Sequence, residues 1–170
     1  HLGGPLERYG EIAKSQQNAA KEIGVSAAWY GVNGATGLLQ AALLAIARPG
    51  QAVLMPRNVH RSIINACAIG DLTPIIFDLP FLTDRGHTSP PDELWMKDVL
   101  LLVKEKRLQI AAAVLVNPTY QGYSCDIKPL IKQLHRLDLP VLVDEAHGAH
   151  FATDLDEGLP DSALAAEADL

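Results

Sequence analysis

The residue with the most distinctive chemistry is a carboxylate at the end of a short apolar run. Asp144 directly follows Val141, Leu142 and Val143. If that run is a buried strand, the carboxylate at its tip is poorly solvated and requires a cationic or N–H partner. A protonated heterocyclic nitrogen is one such partner. The alternative is an aspartate that caps the next helix or begins a turn, which is common at strand ends.

A second candidate is His60, which closely follows another short apolar run, residues 52–55. An imidazole in this position can stack on the face of an aromatic ligand. The alternative is a histidine at the start of a helix that faces solvent, and His60 taken alone fits that alternative better. Its interpretation therefore depends on the groups around it.

A third candidate is a glycine-rich segment ahead of a strongly apolar stretch. This segment, the glycine turn, comprises residues 29–37, WYGVNGATG. A turn of this kind that opens a helix presents unpaired backbone N–H groups and the positive end of the helix dipole together, which suits a phosphate group. The alternative is an asparagine-capped helix that follows a loop.

These groups need a scaffold, and the remaining sequence predicts an α/β one. Helical patterns alternate with short, unbroken apolar runs that are typical of buried parallel strands. The predicted fold has three layers, α/β/α, with a mainly parallel sheet in the middle. Gly24 and Gly70 are predicted to end helices, and Asp92 to cap one. The predicted helices are residues 5–23, 36–47, 60–69, 92–107 and 127–137, the predicted strands are residues 52–55, 74–77, 110–116 and 141–143, and residues 80–91 are a loop.

In an open parallel sheet, ligands bind beyond the carboxyl ends of the strands. The loops predicted at that edge are residues 56–60, 117–120 and 144–147, and the glycine turn is predicted to open its helix toward the same edge. An imidazole, a hydroxyl pair, a carboxylate and a phosphate-binding turn would then surround one crevice. That convergence is more specific than any single motif.

Three other interpretations of residues 144–147 are less favoured. A nucleotide hydrolase would need a Gly-x-x-x-x-Gly-Lys-Ser/Thr loop, which the sequence lacks. A metal site formed by Asp144, His147 and His150 has suitable ligand types, but the segment is not a His-Glu-x-x-His helix. A serine hydrolase would need a Gly-x-Ser-x-Gly elbow, which is also absent. We therefore expect no metal at these residues.

The composition is that of an ordinary globular protein. The 170 residues are 48% hydrophobic and 20% charged, with a formal net charge of −6, which predicts one domain and argues against a nucleic-acid partner. Cys67 and Cys125 are far apart in the sequence, so neither a disulfide framework nor a thiolate metal site is predicted. We expect no membrane span or export signal, and a cytoplasmic location.

With these segments in view, the chain resembles the fold type I pyridoxal-phosphate enzymes, and among them most closely the Orn/Lys/Arg decarboxylase family. The resemblance extends over nearly all of the chain. Its most specific segments are residues 32–37 (VNGATG), 56–62 (PRNVHRS), 117–122 (NPTYQG) and 143–151 (VDEAHGAHF).

The resemblance implies that the cofactor is pyridoxal 5'-phosphate, and it implies a role for each site residue. Asp144, His60 and His147 are the residues expected to contribute to catalysis. The phosphate would contact the backbone around Gly34, Ala35, Thr36 and Gly37. His60 would stack on one face of the pyridine ring, Ala146 would lie against the other face, and Asp144 would pair with the protonated ring nitrogen. Thr119 and His147 would line the pocket wall.

The chain departs from the family pattern in two places. The family's Schiff-base lysine lies in a Ser-x-His-Lys motif soon after a strand that is expected to begin near Asp169, and none of the lysines present lies in such a motif. We therefore expect these residues to be part of a longer large domain and to be inactive alone, because covalent cofactor attachment requires that amine. The second departure is Ala35, where relatives often carry a hydroxyl residue, which predicts weaker phosphate binding.

The activity implied by the resemblance is decarboxylation of arginine, lysine or ornithine to a polyamine or diamine and CO2, in a homodimer or larger homo-oligomer. Two alternatives remain. One is another fold type I enzyme, such as an acyl-CoA-dependent amino-ketone synthase, whose members carry a similar Asp-Glu-Ala-His segment. The other is a non-catalytic regulatory or partner-binding protein. Residues 56–62 and the pair Thr119 and Tyr120 favour the decarboxylase.

Overall fold

A computed structural model describes residues 2–4, 6–152 and 158–170. The contacts within the chain define two units, His1–Leu38 and Leu39–Leu170, and the boundary between them falls within a helix. The organisation of the chain as part of a single cofactor-binding domain stays a prediction.

The first unit contains helix α1, Glu11–Ile23, and the beginning of α2, Gly34–Ile46. Helix α1 ends at Gly24 as predicted, and the left-handed φ of 74° there suits glycine. The predicted start at residue 5 is wrong, because the chain turns at Gly10, where φ is 90°, before it enters the helix. Pro5 itself lies outside the described residues.

The second unit contains the remaining part of α2 and the other helices and strands. The helices are α3 (Arg61–Ile69), α4 (Glu93–Glu105), α5 (Lys128–His135) and a short 3-10 helix (Ala149–Ala152). The strands are β1 (Ala52–Pro56), β2 (Thr73–Phe77), β3 (Phe81–Leu82), β4 (His87–Thr88), β5 (Ile110–Val116) and β6 (Val141–Asp144).

Four strands form a parallel sheet in the order β2-β1-β5-β6, as the alternation of strands and helices predicts. The chain also returns to the outer side of β6. The Leu170 N–H donates to the Val141 carbonyl at 3.3 Å, and the Leu170 carbonyl accepts from the Val143 N–H at 2.9 Å. This is the hydrogen-bond pattern of a parallel pair, and it occurs where the sequence predicts the start of a further strand.

The two faces of the sheet are covered by different helices. Along β1, Leu54 packs in one core cluster with residues of α4 and α5, whereas Val53 and Met55 pack in another with residues of α2 and α3. Successive side chains of a strand point to opposite faces, so both faces of the sheet are buried. The predicted three-layer α/β/α architecture is confirmed.

Most predicted boundaries are correct to within about one or two residues, the usual uncertainty of element ends. The Asp92 side chain accepts a hydrogen bond from the Trp95 N–H at 2.8 Å, which confirms the predicted cap of α4. Helix α3 begins at Arg61 rather than His60, because His60 has an extended backbone and is its cap residue.

The prediction of a plain loop at residues 80–91 is wrong in part. Strands β3 and β4 pair as an antiparallel hairpin, with Phe81 opposite Thr88 and Leu82 opposite His87. Each strand is only two residues long, which is too short to produce a detectable period in the sequence. Among the described residues, no helix has the length and apolar character that crossing a membrane requires.

Candidate functional site

The site begins where β5 and β6 end side by side. Asp144 is the last residue of β6, is 7% exposed, and pairs with Val116, the last residue of β5. The next residue after β5, Asn117, donates its N–H to the Asp144 carbonyl at 3.2 Å. The two loops that follow these strands therefore start together, as the sequence predicts.

The Asp144 carboxylate has one described partner from its own loop. Its Oδ1 accepts a hydrogen bond from the Ala146 N–H at 3.2 Å, which is the turn-type contact that a strand-end aspartate makes. No ion pair joins Asp144 to a lysine, arginine or histidine within residues 2–4, 6–152 and 158–170. The carboxylate is thus a buried anion that a cationic ligand group would stabilise.

His60 is held at the start of α3 by Ser62. Its Nδ1 accepts from the Ser62 N–H at 3.2 Å and lies 2.8 Å from the Ser62 Oγ. Because Nδ1 is an acceptor, the neutral ring carries its proton on Nε2. His60 is therefore the cap residue of α3 and is half-buried rather than fully exposed to solvent. Its stacking on an aromatic ligand stays a prediction.

An aromatic side chain that the sequence analysis did not include among the site residues connects two that it did include. The Tyr120 ring lies 6.4 Å from His60, in a stacked orientation at 28°, and 4.9 Å from His147, tilted by 54° (ring centroids). These three residues form the aromatic row. The signal that identifies Tyr120 is an aromatic residue directly after Thr119 in a strand-end loop, but its neighbours could not be known from the sequence.

The loop after β5 is closed by its own hydrogen bonds. Asn117 is 0% exposed, and its Oδ1 accepts from the Cys125 N–H at 3.1 Å. Thr119 is 2% exposed, and its N–H donates to the Tyr123 carbonyl at 2.8 Å. The Thr119 Oγ1 accepts from the Tyr123 N–H at 3.2 Å in return. The hydroxyl that was predicted to line the pocket is therefore fixed in place by its loop.

The loop after β6 is packed closely against the loop after β5. A Cβ atom at the buried Gly148 would lie 2.7 Å from the Pro118 Cδ and 2.7 Å from the Glu145 Cγ, so only glycine fits without rearrangement. The Glu145 Oε1 accepts from the Ala163 N–H at 2.8 Å. Burial raises the pKa of the Glu145 carboxyl, and that hydrogen bond partly offsets the rise. Glu145 thus anchors the loop to a later segment of the chain.

The glycine turn belongs to the first unit and leads into α2. The helix begins at Gly34, two residues before the predicted start, and the Gly37 N–H donates to the Asn33 carbonyl at 3.4 Å. The N–H groups of Gly34, Ala35 and Thr36 precede the first intrahelical bond and therefore have no acceptor within the helix. The predicted approach of these groups to the crevice at the strand ends stays a prediction.

Metal-ligating residues do not converge in the described part of the chain. No group of three or more histidine, cysteine, aspartate or glutamate residues is arranged to hold a metal ion there. His150, the third ligand in the less favoured metal interpretation, instead lies against Phe151, with 4.6 Å between ring centroids.

Comparison with known proteins shows to which family the chain belongs. Residues 1–169 match the model of the family described as Orn/Lys/Arg decarboxylase, major domain. Arginine decarboxylase of Bacillus subtilis (strain 168) is 32% identical over 166 residues, which cover 95% of this chain and 32% of that protein. Arginine decarboxylase of Halalkalibacterium halodurans is 31% identical over 177 residues, covering 98% of this chain and 34% of that protein.

The fold is also found in a solved decarboxylase structure. The crystal structure of the Francisella novicida lysine decarboxylase LdcF matches with a TM-score of 0.72 and 20% identity, covering 89% of this chain and 22% of that one. The chain spans about a third of the length of the curated arginine decarboxylases that it matches. The family model, which matches residues 1–169, establishes that the chain belongs to the Orn/Lys/Arg decarboxylase family, within its major domain.

Proposed function

We propose that this chain is the cofactor-binding part of a pyridoxal-phosphate-dependent decarboxylase that converts arginine, lysine or ornithine to an amine and CO2. Family membership and the decarboxylase names of its relatives support this activity over an acyl-CoA-dependent amino-ketone synthase. Because the chain covers about a third of those relatives, the activity is proposed for the complete protein.

The observation that carries the proposal is the buried Asp144 carboxylate at the end of β6. It is 7% exposed and has no cationic partner among the described residues. A protonated pyridine nitrogen is a flat cation that can donate one hydrogen bond to such a carboxylate. In return, the carboxylate would keep the proton on that nitrogen. When bound, pyridoxal phosphate supplies an electron sink for the electron pair that decarboxylation leaves behind.

The aromatic row supplies candidate surfaces for a planar ring. His60 would stack on the pyridine ring, with its orientation fixed by Ser62 Oγ at 2.8 Å. The His147 ring centroid lies 4.9 Å from that of Tyr120, and His147 would line the pocket with Thr119. Ala146 is small and exposed, which suits the proposed contact with the second ring face. His147 and His60 would hold or move protons near the reacting atoms.

The proposed phosphate ligands are the backbone N–H groups at the start of α2. Those of Gly34, Ala35 and Thr36 have no acceptor within the helix, and the helix dipole favours an anion there. The Gly37 N–H already donates to Asn33 at 3.4 Å, so it would contribute less than predicted. A phosphate bound at this position would neutralise exposed donors without requiring a basic side chain.

The proposal also includes the lysine that would complete the site, the oligomeric state of the complete protein and its location. The Schiff-base lysine would come from a Ser-x-His-Lys motif outside these 170 residues, so this chain alone would bind the cofactor without turning over substrate. We further propose a homodimer or larger homo-oligomer, in the cytoplasm, that acts in polyamine or diamine formation.

The proposal is tested with the complete protein, in which the Ser-x-His-Lys motif is expected. Purified protein is supplied with pyridoxal phosphate and with carboxyl-labelled arginine, lysine or ornithine, and labelled CO2 is collected. We expect CO2 from one of the three substrates and its loss in Asp144→Ala. Release that is unchanged in Asp144→Ala would contradict the assigned role. If no CO2 were released from arginine, lysine or ornithine and an amino-ketone were formed from an acyl-CoA, the proposed decarboxylase activity would be contradicted.

A further inference from the structure

Tyr123 is contacted by two residues of the β3-β4 hairpin. The Arg85 guanidinium donates a hydrogen bond to the Tyr123 hydroxyl and lies 5.5 Å from the ring centroid. The His87 ring centroid lies 4.7 Å from the Tyr123 centroid. A cationic group and an imidazole from one hairpin thus contact a single aromatic ring.

Tyr123 also closes the turn that carries Tyr120. The Tyr123 N–H donates to the Thr119 Oγ1 at 3.2 Å, and its carbonyl accepts from the Thr119 N–H at 2.8 Å. The Gly122 N–H donates to the Thr119 carbonyl at 2.9 Å. These bonds fix the ends of the turn at residues 119–123. Tyr120 lies within the turn and is 61% exposed as a residue, so burial alone does not hold it.

We propose that Arg85 and His87 are positioning residues for the candidate site. By holding Tyr123, they fix the turn at residues 119–123 and thereby keep the Tyr120 ring near both His60 and His147. The hairpin would thus act on the aromatic row through the Tyr123 side chain. The inference rests on the proposed function only for its consequence in cofactor binding.

Because the hairpin is short, its contact with Tyr123 stabilises the hairpin as well as the turn at residues 119–123. Its strands are two residues long, and a two-stranded hairpin of this kind is at best marginally stable without packing against something else. Its internal bonds include the Gly86 N–H to the Leu82 carbonyl at 2.8 Å. Tyr123 adds contacts outside the hairpin, so removal of the ring loosens the hairpin and the turn together.

The test compares Tyr123→Leu with Tyr123→Phe in protein free of cofactor. Amide hydrogen exchange is measured by NMR at Gly122 and residue 123, and the imidazole resonances of His60 and His147 report the ring current of Tyr120. We expect Tyr123→Leu to speed exchange at both amides by about tenfold, and to move both imidazole resonances toward their positions in Tyr120→Leu. Tyr123→Phe keeps the ring contacts with Arg85 and His87 and loses the hydroxyl hydrogen bond, so its exchange and resonances are expected between those of native protein and Tyr123→Leu.

Two further variants make the result specific. Arg85→Ala combined with His87→Ala removes the same contacts from the hairpin and changes no residue of the turn, and it is expected to reproduce Tyr123→Leu. Tyr30→Leu replaces a tyrosine of the first unit and is expected to leave exchange at Gly122 unchanged. Native exchange and native imidazole resonances in the double variant would overturn the proposal, whatever Tyr123→Leu does.

The same variants separate this inference from the proposed function. Pyridoxal phosphate is titrated onto native protein and onto the double variant by equilibrium dialysis. If both inferences hold, the double variant binds the cofactor about fivefold more weakly than native protein, through the loss of about one ordering contact. If native protein does not bind the cofactor, the proposed function fails, and the exchange and resonance data still decide whether Arg85 and His87 position the turn.

Discussion

The strand-end loops and the glycine turn are built in different ways. In the loops, Asn117 and Thr119 are 0% and 2% exposed, and their side chains are hydrogen bonded to backbone N–H groups of the same loop. In the glycine turn, Val32 is 88% exposed and Trp29 is 58% exposed. The side chains of the first region are thus buried and hydrogen bonded, whereas those named in the second are exposed.

The difference follows from what each region is proposed to recognise. A ring nitrogen or a ring face requires side chains such as Asp144 and His60 in fixed orientations, which only a packed loop provides. A phosphate can be bound by the N–H groups of a helix start, whose directions the helix itself determines. Substitutions in the loops should therefore act through stability and geometry, and those in the turn through the number of hydrogen-bond donors.

The largest stability effect is expected at Gly148. Gly148→Ala should lower the free energy of unfolding by about 3 kcal/mol, the upper end of overpacking costs, because the new methyl group would lie 2.7 Å from the Pro118 Cδ. Urea denaturation measures this. The control is Gly4→Ala in the first unit, whose nearest contact would be 3.7 Å and whose effect should stay within about 0.5 kcal/mol. Equal losses of unfolding free energy in Gly148→Ala and Gly4→Ala would mean that the loop after β6 is not packed more closely than the first unit at Gly4.

The loop after β5 should also protect the Cys125 thiol. Burial, and to a smaller extent Asp126 and Asp92, raises the pKa of Cys125 to about 11. Its alkylation at pH 8, measured in a Cys67→Ser background, should be about 100-fold slower than in the unfolded chain, because the thiolate fraction falls tenfold per unit of pKa.

The same shift has a consequence for stability. The folded state keeps the Cys125 proton at pH values where the unfolded thiol has lost it, so stability should fall as the pH rises from about 9 to about 11. Cys125→Ser should reduce that dependence. Alkylation as fast as in the unfolded chain, with no fall in stability over this interval, would show that the loop is open.

A smaller effect is expected from the side chain that closes this loop. Asn117→Ala removes the acceptor of the Cys125 N–H, 3.1 Å away, and should cost about 2 kcal/mol of stability, since it leaves a half-buried donor unpaired. Thermal or urea unfolding measures the loss, and the Cys125 thiol should become more reactive. Asn65→Ala, at an exposed position of α3, is the matched control. A cost no greater than that of the control would mean that packing alone closes the loop.

The smallest effect is expected in the glycine turn. Ala35→Ser should leave stability nearly unchanged and strengthen pyridoxal-phosphate binding by about fivefold, the contribution of one added hydrogen bond. Ala41→Ser, at an exposed position farther along α2, should not change the affinity. Equilibrium dialysis of the two variants measures the difference. Equal affinities would argue that no phosphate binds near residue 35.

Much of the scaffold was predictable because local patterns determine it. The apolar run Ile110–Val116 has the bounds of β5 as predicted, and the cap at Asp92 depends only on residues three apart. The position of Asp144 at the tip of a buried strand was predictable because an unbroken apolar run precedes it. These features are encoded within a few residues of where they act.

The features that the sequence did not reveal depend on contacts between distant segments. The ring of Tyr120 lies near both His60 and His147 and belongs to a turn that Tyr123 closes. The hydrogen bond between Glu145 and Ala163 joins positions with no local relation. The hairpin within residues 80–91 was missed because its strands are too short to have a period. Long-range pairing of this kind has no signature in a single sequence.

The most direct test of the central claim is the affinity of this chain for pyridoxal phosphate in native and Asp144→Asn forms, measured by equilibrium dialysis. Asparagine keeps the Ala146 N–H bond and removes the charge. Asp71→Asn is the control, because Asp71 is exposed and its φ of 52° is one that asparagine tolerates. We predict a loss of roughly 100-fold in Asp144→Asn, from a charged hydrogen bond worth about 3 kcal/mol, and none in Asp71→Asn. Equal affinities in all three proteins would contradict a cofactor site at the end of β6.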